Sequence, residues 1–141
     1  LNLDADGISD LLNKKSGVLG ITELSSDMRE VEAACEKGDP KAILSMKMYN
    51  YRIKKYIGAY AAAMGGVDII VFTAGVGENQ WSTRQEACEG LEFLGVKIDK
   101  ELNKGLRGVE KVISTADSKV TVCIIPTDEE LMIATDTMDL L

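Results

Sequence analysis

Three short segments carry residue types and spacings suited to a phosphorylated ligand. The first is Gly75-Val76-Gly77-Glu78-Asn79, which follows an apolar, β-branched run and precedes an amphipathic one. Glycines at such a crossing let backbone N–H groups approach a phosphate, and the start of the next helix favours its charge. A tight strand-to-helix turn with no ligand has the same pattern, and Asn79 also suits a helix cap. The third glycine of a dinucleotide fingerprint is missing, since Gln80 stands there. No GxxxxGK followed by Ser or Thr occurs, which excludes a P-loop.

The second segment is Pro126-Thr127-Asp128-Glu129-Glu130, between a strand pattern and a helix pattern. Thr127 as cap with Glu130 three positions later reads as a capping box, which gives Glu130 a structural duty. Glu129 keeps no such duty. A carboxylate at the carboxyl end of a strand can hold Mg²⁺ directly or through water, or simply serve the helix dipole. The third segment is Asp27-Met28-Arg29, where Arg29 either holds a nucleotide or forms a solvated first-turn pair.

Composition narrows the chemistry. There is no histidine, which removes the commonest general base, the Ser-His-Asp triad and His-containing zinc sites. Three cysteines, Cys35, Cys88 and Cys123, form no CxxC pair and read as reduced thiols in a cytoplasmic protein. The net charge of −7 over 141 residues argues against nucleic acid or anionic membrane as partner. Ile57 to Gly77 holds a single charge, Asp68, but that charge and Gly65-Gly66 lie at its centre, so it reads as helix end, turn and strand rather than a span. The chain opens on Leu1 with no basic or apolar leader pattern, and it is expected to be a fragment rather than a secreted precursor.

The elements that must position these segments follow from periodicity. Residues 1–26 read as a loop-rich entry with one short helix near Ile8–Leu12. A helix opens at Asp27, with Glu30 completing a capping box, and closes at Gly38. Asp39-Pro40 starts a longer helix to Met64, striped by Ile43, Leu44, Met46, Tyr49, Ile53, Ile57 and Tyr60. Its four tyrosines are expected to pack, and Arg52, Lys54 and Lys55 to be solvated. Val67–Thr73 reads as a strand buried on both faces, Ala74–Asn79 as a glycine loop, and Gln80–Leu94 as an amphipathic helix ended by Gly95. A short helix over Glu101–Leu106, strands over Val109–Ser114 and Val120–Pro126, and a final helix over Thr127–Leu140 complete an α/β layer pattern with no internal linker.

Five blocks in order carry a resemblance: Asn13-Lys14-Lys15-Ser16-Gly17-Val18-Leu19-Gly20, Ser25-Ser26-Asp27-Met28-Arg29, Tyr51 to Tyr60, Val71 to Asn79, and Ile125 to Leu131. Together the sequence resembles acetate kinase, over essentially the whole chain but only the C-terminal third of that family's length. The resemblance implies a partial ribonuclease-H-like (actin-like ATPase) domain, with a mixed sheet flanked by helices, from the second, nucleotide-binding domain. It implies reversible transfer of the ATP γ-phosphoryl group to acetate, giving acetyl phosphate and ADP, by a cytoplasmic homodimer. It places Asp27, Met28 and Arg29 beside the adenosine, Gly75, Val76, Gly77, Glu78 and Asn79 on the nucleotide, and Glu129 on Mg²⁺. Val76 stands where Ile is usual. Asp128 stands where Asn is usual and adds a charge beside the metal position. The acetate pocket and the essential aspartate, arginines and histidine of the family belong to its earlier part, so the fragment alone is expected to be inactive. A propionate kinase relative, or a non-catalytic nucleotide-binding or assembly module, would share these motifs.

Overall fold

A computed structural model describes residues 2–140 of the chain. The chain divides into two units, Leu1–Tyr56 and Ile57–Leu141.

In the first unit the expected loop-rich entry is helical. Asp4 accepts a hydrogen bond from the Gly7 N–H at 2.8 Å and starts α1 (Ala5–Lys14). The short apolar run Val18–Ile21 lies within α2 (Gly17–Thr22). α3 (Met28–Glu36) starts at Asp27 as the sequence indicates, the carboxylate accepting from the Arg29 N–H at 2.9 Å. Asp39 accepts from the N–H groups of Lys41 and Ala42 at 2.8 and 2.9 Å and opens α4 (Pro40–Met64), which has the expected bounds. Val31, Ala42 and Met46 form a buried cluster, with Val18, Met28, Ala34 and Cys35 packed against it. The tyrosines mostly do not pack: Tyr51, Tyr56 and Tyr60 are each more than half exposed. Tyr51 instead carries the Lys55 ammonium over its ring, 5.8 Å from the centroid, at the one-turn spacing that makes such pairs neighbours.

The second unit is built on a mixed three-stranded sheet in the order β1-β3-β2. β1 (Ile69–Phe72) runs parallel to β3 (Thr121–Ile124), with Ile69 opposite Thr121 and Phe72 opposite Ile124. β2 (Lys111–Val112) pairs antiparallel with β3 and is much shorter than the expected Val109–Ser114. Isolated bridges from Val96 to Val120 and from Ile98 to Ser114 carry the pairing further. Ile70, Phe72, Val122 and Ile124 point into a core with Ala87, Leu91, Val96 and Ile113. The opposite face corrects the expectation of a strand buried on both sides. Ile69, Val71 and Val112 are exposed there, and no described element covers them.

The remaining helices also depart from the pattern. Ala74–Asn79 is not a loop but a short helix, α5. α6 (Trp81–Cys88) stops six residues before Leu94 because Glu89 turns extended and Gly90 takes a φ of +81°, after which a 3₁₀ turn spans Glu92–Leu94. α7 is Lys100–Asn103, shorter than expected. α8 (Glu129–Asp139) is exposed along its length, including Leu131, Met132, Ile133 and Met138. Among the described residues no helix is long and apolar enough to cross a membrane, and no disulfide joins Cys35, Cys88 and Cys123.

Candidate functional site

Because β1 and β3 are parallel, their carboxyl ends lie on one edge of the sheet, where open α/β sheets receive ligands. Both candidate segments of the second unit leave from that edge: α5 follows β1, and Ile125–Asp128 joins β3 to α8. The Ile125 N–H donates to the Phe72 carbonyl at 3.0 Å, so the two chains still run together where they leave the sheet.

The turn from β1 into α5 is backbone-driven. Ala74 has a φ of +59°, in the left-handed region that residues with a Cβ seldom occupy. Gly75 and Gly77, expected to serve phosphate approach alike, play different parts. A Cβ on Gly77 would lie 3.1 Å from the Phe72 carbonyl carbon, so this glycine lets α5 fold back onto β1. A Cβ on Gly75 would meet nothing within 4 Å. Gly75 is therefore the glycine of the pair that leaves space at the edge. Asn79 does not cap α6. Its amide donates to the Gly75 carbonyl at 2.9 Å, inside α5.

The end of α5 is held by a residue the sequence reading did not single out. Arg84 of α6 is completely buried. Its Nη1 donates to the carbonyls of Gly77 and Glu78 at 2.8 and 3.0 Å, its Nη2 to Leu106 at 2.8 Å, and its Nε to Asn103 Oδ1 at 2.8 Å. Asn103, also buried, returns its amide to the Trp81 carbonyl at 2.8 Å. The guanidinium thus meets the carbonyls at the end of α5, where a cation is favoured by both the dipole and the unpaired acceptors. Burial pulls its pKa down to about 10, with the Arg107 charge adding to the effect, and it stays cationic at neutral pH. The available signal is positional: Arg84 stands three and four residues before Ala87 and Cys88, on the buried side of α6.

The two crossings are joined by side chains. Glu78 Oε1 accepts from the Thr127 N–H at 2.8 Å and from the Thr127 hydroxyl at 2.9 Å. These bonds, the backbone one first, together with a backbone bond from Ala74, hold the Glu78 carboxyl below the usual carboxylate range against a smaller opposing effect of burial. Thr127, expected to cap α8, is therefore not its cap. Asp128 is: its Oδ1 accepts from the Leu131 N–H at 3.0 Å. Thr127 is committed to Glu78, and the cap moves one residue on. Glu130, expected as the partner in a capping box, is an exposed first-turn residue of α8 like Glu129.

Glu129 stands in the first turn of α8, exposed, two residues from Thr127. Among the described residues no group of three or more His, Cys, Asp or Glu side chains could hold a metal by itself. A single exposed carboxylate fits a hard divalent cation that arrives with phosphate oxygens, since Mg²⁺ is commonly held by one or two carboxylates plus substrate phosphates.

Asp27, Met28 and Arg29 belong to the first unit. Asp27 caps α3 and also holds the Arg29 side chain, through Nε at 3.0 and 3.2 Å and Nη2 at 2.5 Å. These hydrogen bonds, the side-chain ones first, bring the Asp27 carboxyl from 3.8 down to about 2. The Arg29 side chain remains 86% exposed even while its guanidinium is held edge-on by Asp27, which leaves it accessible to a ligand.

Comparison with known proteins agrees with this architecture. A sequence model of the Acetokinase family matches residues 1–135. The acetate kinase of Phocaeicola vulgatus is 71% identical over 139 residues, which is 99% of this chain and 35% of that protein. The crystal structure of Porphyromonas gingivalis acetate kinase superposes with a TM-score of 0.92 at 61% identity, over 97% of this chain and 34% of that one. A propionate kinase from Francisella tularensis superposes at 0.82 with 36% identity, over 94% of this chain and 33% of that one. The chain spans about a third of the length of the curated relatives it matches. With a family model matched over 135 of 141 residues, and the mixed sheet, α5 and the β3–α8 crossing in place, the chain belongs to the Acetokinase family.

Proposed function

We propose that this segment supplies part of the nucleotide and metal side of an acetate kinase, which moves the γ-phosphoryl group of ATP to acetate and gives acetyl phosphate and ADP, reversibly. The observation that carries this reading is the joining of α5 to the β3–α8 crossing on one edge of the parallel pair, in a member of this family. The segment is read as the C-terminal portion of the second, nucleotide-binding domain. The uncovered face of β1 fits a domain whose remaining layers lie elsewhere in a longer protein.

Phosphoryl transfer asks the protein mainly for positioning and charge stabilisation. α5, with Gly75, Val76, Gly77, Glu78 and Asn79, lays its backbone along the nucleotide, and the open space at Gly75 allows close approach. Asp27, Met28 and Arg29 border the adenosine, with the exposed Arg29 face available for stacking. Glu129 presents its carboxylate to Mg²⁺. When bound with ATP, Mg²⁺ neutralises charge that develops on the transferred group. The full-length protein is read as a cytoplasmic homodimer with no nucleic-acid or membrane partner, the last point in keeping with the acidic charge of this segment.

Acetate is taken as the acceptor because the bacterial relatives at 58–71% identity are named acetate kinases; that choice rests on those relatives and on no residue of this segment, since the acceptor side is placed outside it. A full-length enzyme carrying this segment, given ATP, Mg²⁺ and either acid with hydroxylamine to trap acyl phosphate, should prefer acetate. The 141-residue chain alone should give no product. Propionate preference would move the assignment to the second relative, and turnover by the isolated chain would refute the placement of the acceptor side outside it.

A further inference from the structure

We propose that Glu78 is a positioning residue: its carboxylate locks the β1–α5 turn to the β3–α8 crossing and so sets where Glu129 presents its own carboxylate. The proposal rests on the reading of Glu129 as the metal-holding group. Three observations carry it.

The first is the use already made of the Glu78 carboxylate. One oxygen takes two hydrogen bonds from Thr127, 49 positions away, and a backbone bond from Ala74 adds to them. A carboxylate facing a triphosphate would repel it, whereas one turned onto N–H and O–H donors gains by staying charged.

The second is how firmly Glu78 is seated. Its carbonyl accepts from Arg84 at 3.0 Å and from the Gly108 N–H at 3.2 Å, so its backbone is fixed from the buried side. The third is the short lever to Glu129. Thr127 is held by Glu78, and Asp128 is held by the Leu131 N–H. Both residues before Glu129 are thus immobilised, while none of these bonds uses Glu129 itself. The arrangement is that of an outer group orienting a ligand without touching the metal.

The test uses a full-length enzyme carrying this segment. Mn²⁺ binding in the presence of ADP, read by electron paramagnetic resonance, and hydrogen exchange at the Thr127 amide without metal or nucleotide are measured beside the KM for acetate. Glu78→Leu should weaken Mn²⁺ binding about tenfold, in the range for lost outer-shell partners, and should expose the Thr127 amide. The KM for acetate should stay within about twofold, because a positioning defect on the metal side is confined to that side. Glu78→Gln keeps an oxygen acceptor for both Thr127 donors and should recover most of the Mn²⁺ affinity and the amide protection. Thr127→Val should act in the same direction more weakly, and should add nothing to Glu78→Leu, since residues acting through one contact are not additive.

Three results at Glu78 and Thr127 would overturn the proposal: Gln as damaging as Leu, which would mean that the charge itself meets the ligand; unchanged Mn²⁺ binding in Glu78→Leu; or additive effects of Glu78→Leu and Thr127→Val. If Glu78→Leu does not fold, Glu78→Gln and Thr127→Val decide on the same readouts. Wild-type Mn²⁺ binding by Glu129→Ala would overturn the metal reading and the proposal with it. That failure is distinguished by the Thr127 amide, whose exchange would still follow the Glu78 variants.

Discussion

Two acid–arginine arrangements in this chain solve different problems. Asp27 and Arg29 lie two residues apart, both solvent-accessible, and their pairing is entirely local to the start of α3. Glu78 and Arg84 lie six residues apart, yet the guanidinium meets the Glu78 carbonyl and not its carboxylate. Arg84 spends its donors on carbonyls of Gly77, Glu78 and Leu106 and on Asn103, and Glu78 spends its carboxylate on Thr127. The first arrangement leaves a guanidinium face free for a ligand. The second has no free face and fixes the backbone that a ligand would meet. An exposed arginine thus keeps a face for the recognition proposed for Arg29, whereas a buried one such as Arg84 serves architecture, and the difference lies in partners far apart in sequence.

The sharpest way to break the contrast is at the two arginines. Arg84→Met should lower unfolding stability by at least about 3 kcal/mol, since several buried acceptors lose their donors at a cost of about 1–3 kcal/mol each. Urea midpoints would read this. Arg84→Lys should fall between, because one ammonium cannot span the same fork. Arg29→Met should leave the midpoint nearly unchanged, as exposed pairs contribute little. Equal losses would erase the distinction.

The glycines of α5 divide along the same line. Gly77→Ala should cost about 1–3 kcal/mol by overpacking against Phe72. Gly75→Ala should leave stability within about 0.5 kcal/mol and instead raise the KM for ATP in the full-length enzyme. At the other crossing, Asp128→Ala should cost about 1 kcal/mol as a lost cap, and Glu130→Ala should stay within about 0.5 kcal/mol. The smallest effect is at Asp27. Its carboxyl is lowered from 3.8 to about 2 in the folded chain, so its stabilising contribution is fully present above pH 3.8 and is lost as pH falls through about 2. A carboxyl-carbon NMR titration with its midpoint at the ordinary value would contradict this.

How much of this was legible in the sequence follows the same division. The bounds of α4, the Asp27 cap and the β1 strand position rest on local signals, namely caps, glycines and periodicity, and the structure reproduces them. The motifs also led to the family. Local pattern puts the cap of α8 at Thr127, but Thr127 is drawn away by Glu78, a partner no local pattern announces. The glycine loop became a helix because Gly77 serves the approach to Phe72 and Arg84 supplies acceptors' partners at the end of α5. The apolar run of β1 reads as doubly buried, yet composition does not report what covers a face, and Ile69 and Val71 are exposed. α2 was hidden by Gly17 and Gly20, which lower helix propensity without preventing a six-residue helix.

On the proposed reading, nucleotide and metal meet at the edge shared by α5 and the β3–α8 crossing, with Glu129 as the metal-holding group. The most direct test of that reading is a Mg²⁺ titration of kcat in the full-length enzyme, comparing Glu129→Ala with Glu130→Ala. Glu129→Ala should raise the Mg²⁺ requirement and lower kcat by the equivalent of several kcal/mol, with the thermal midpoint unchanged, while Glu130→Ala should keep the wild-type titration. A wild-type Mg²⁺ response in Glu129→Ala, with the defect appearing in Glu130→Ala instead, would contradict it.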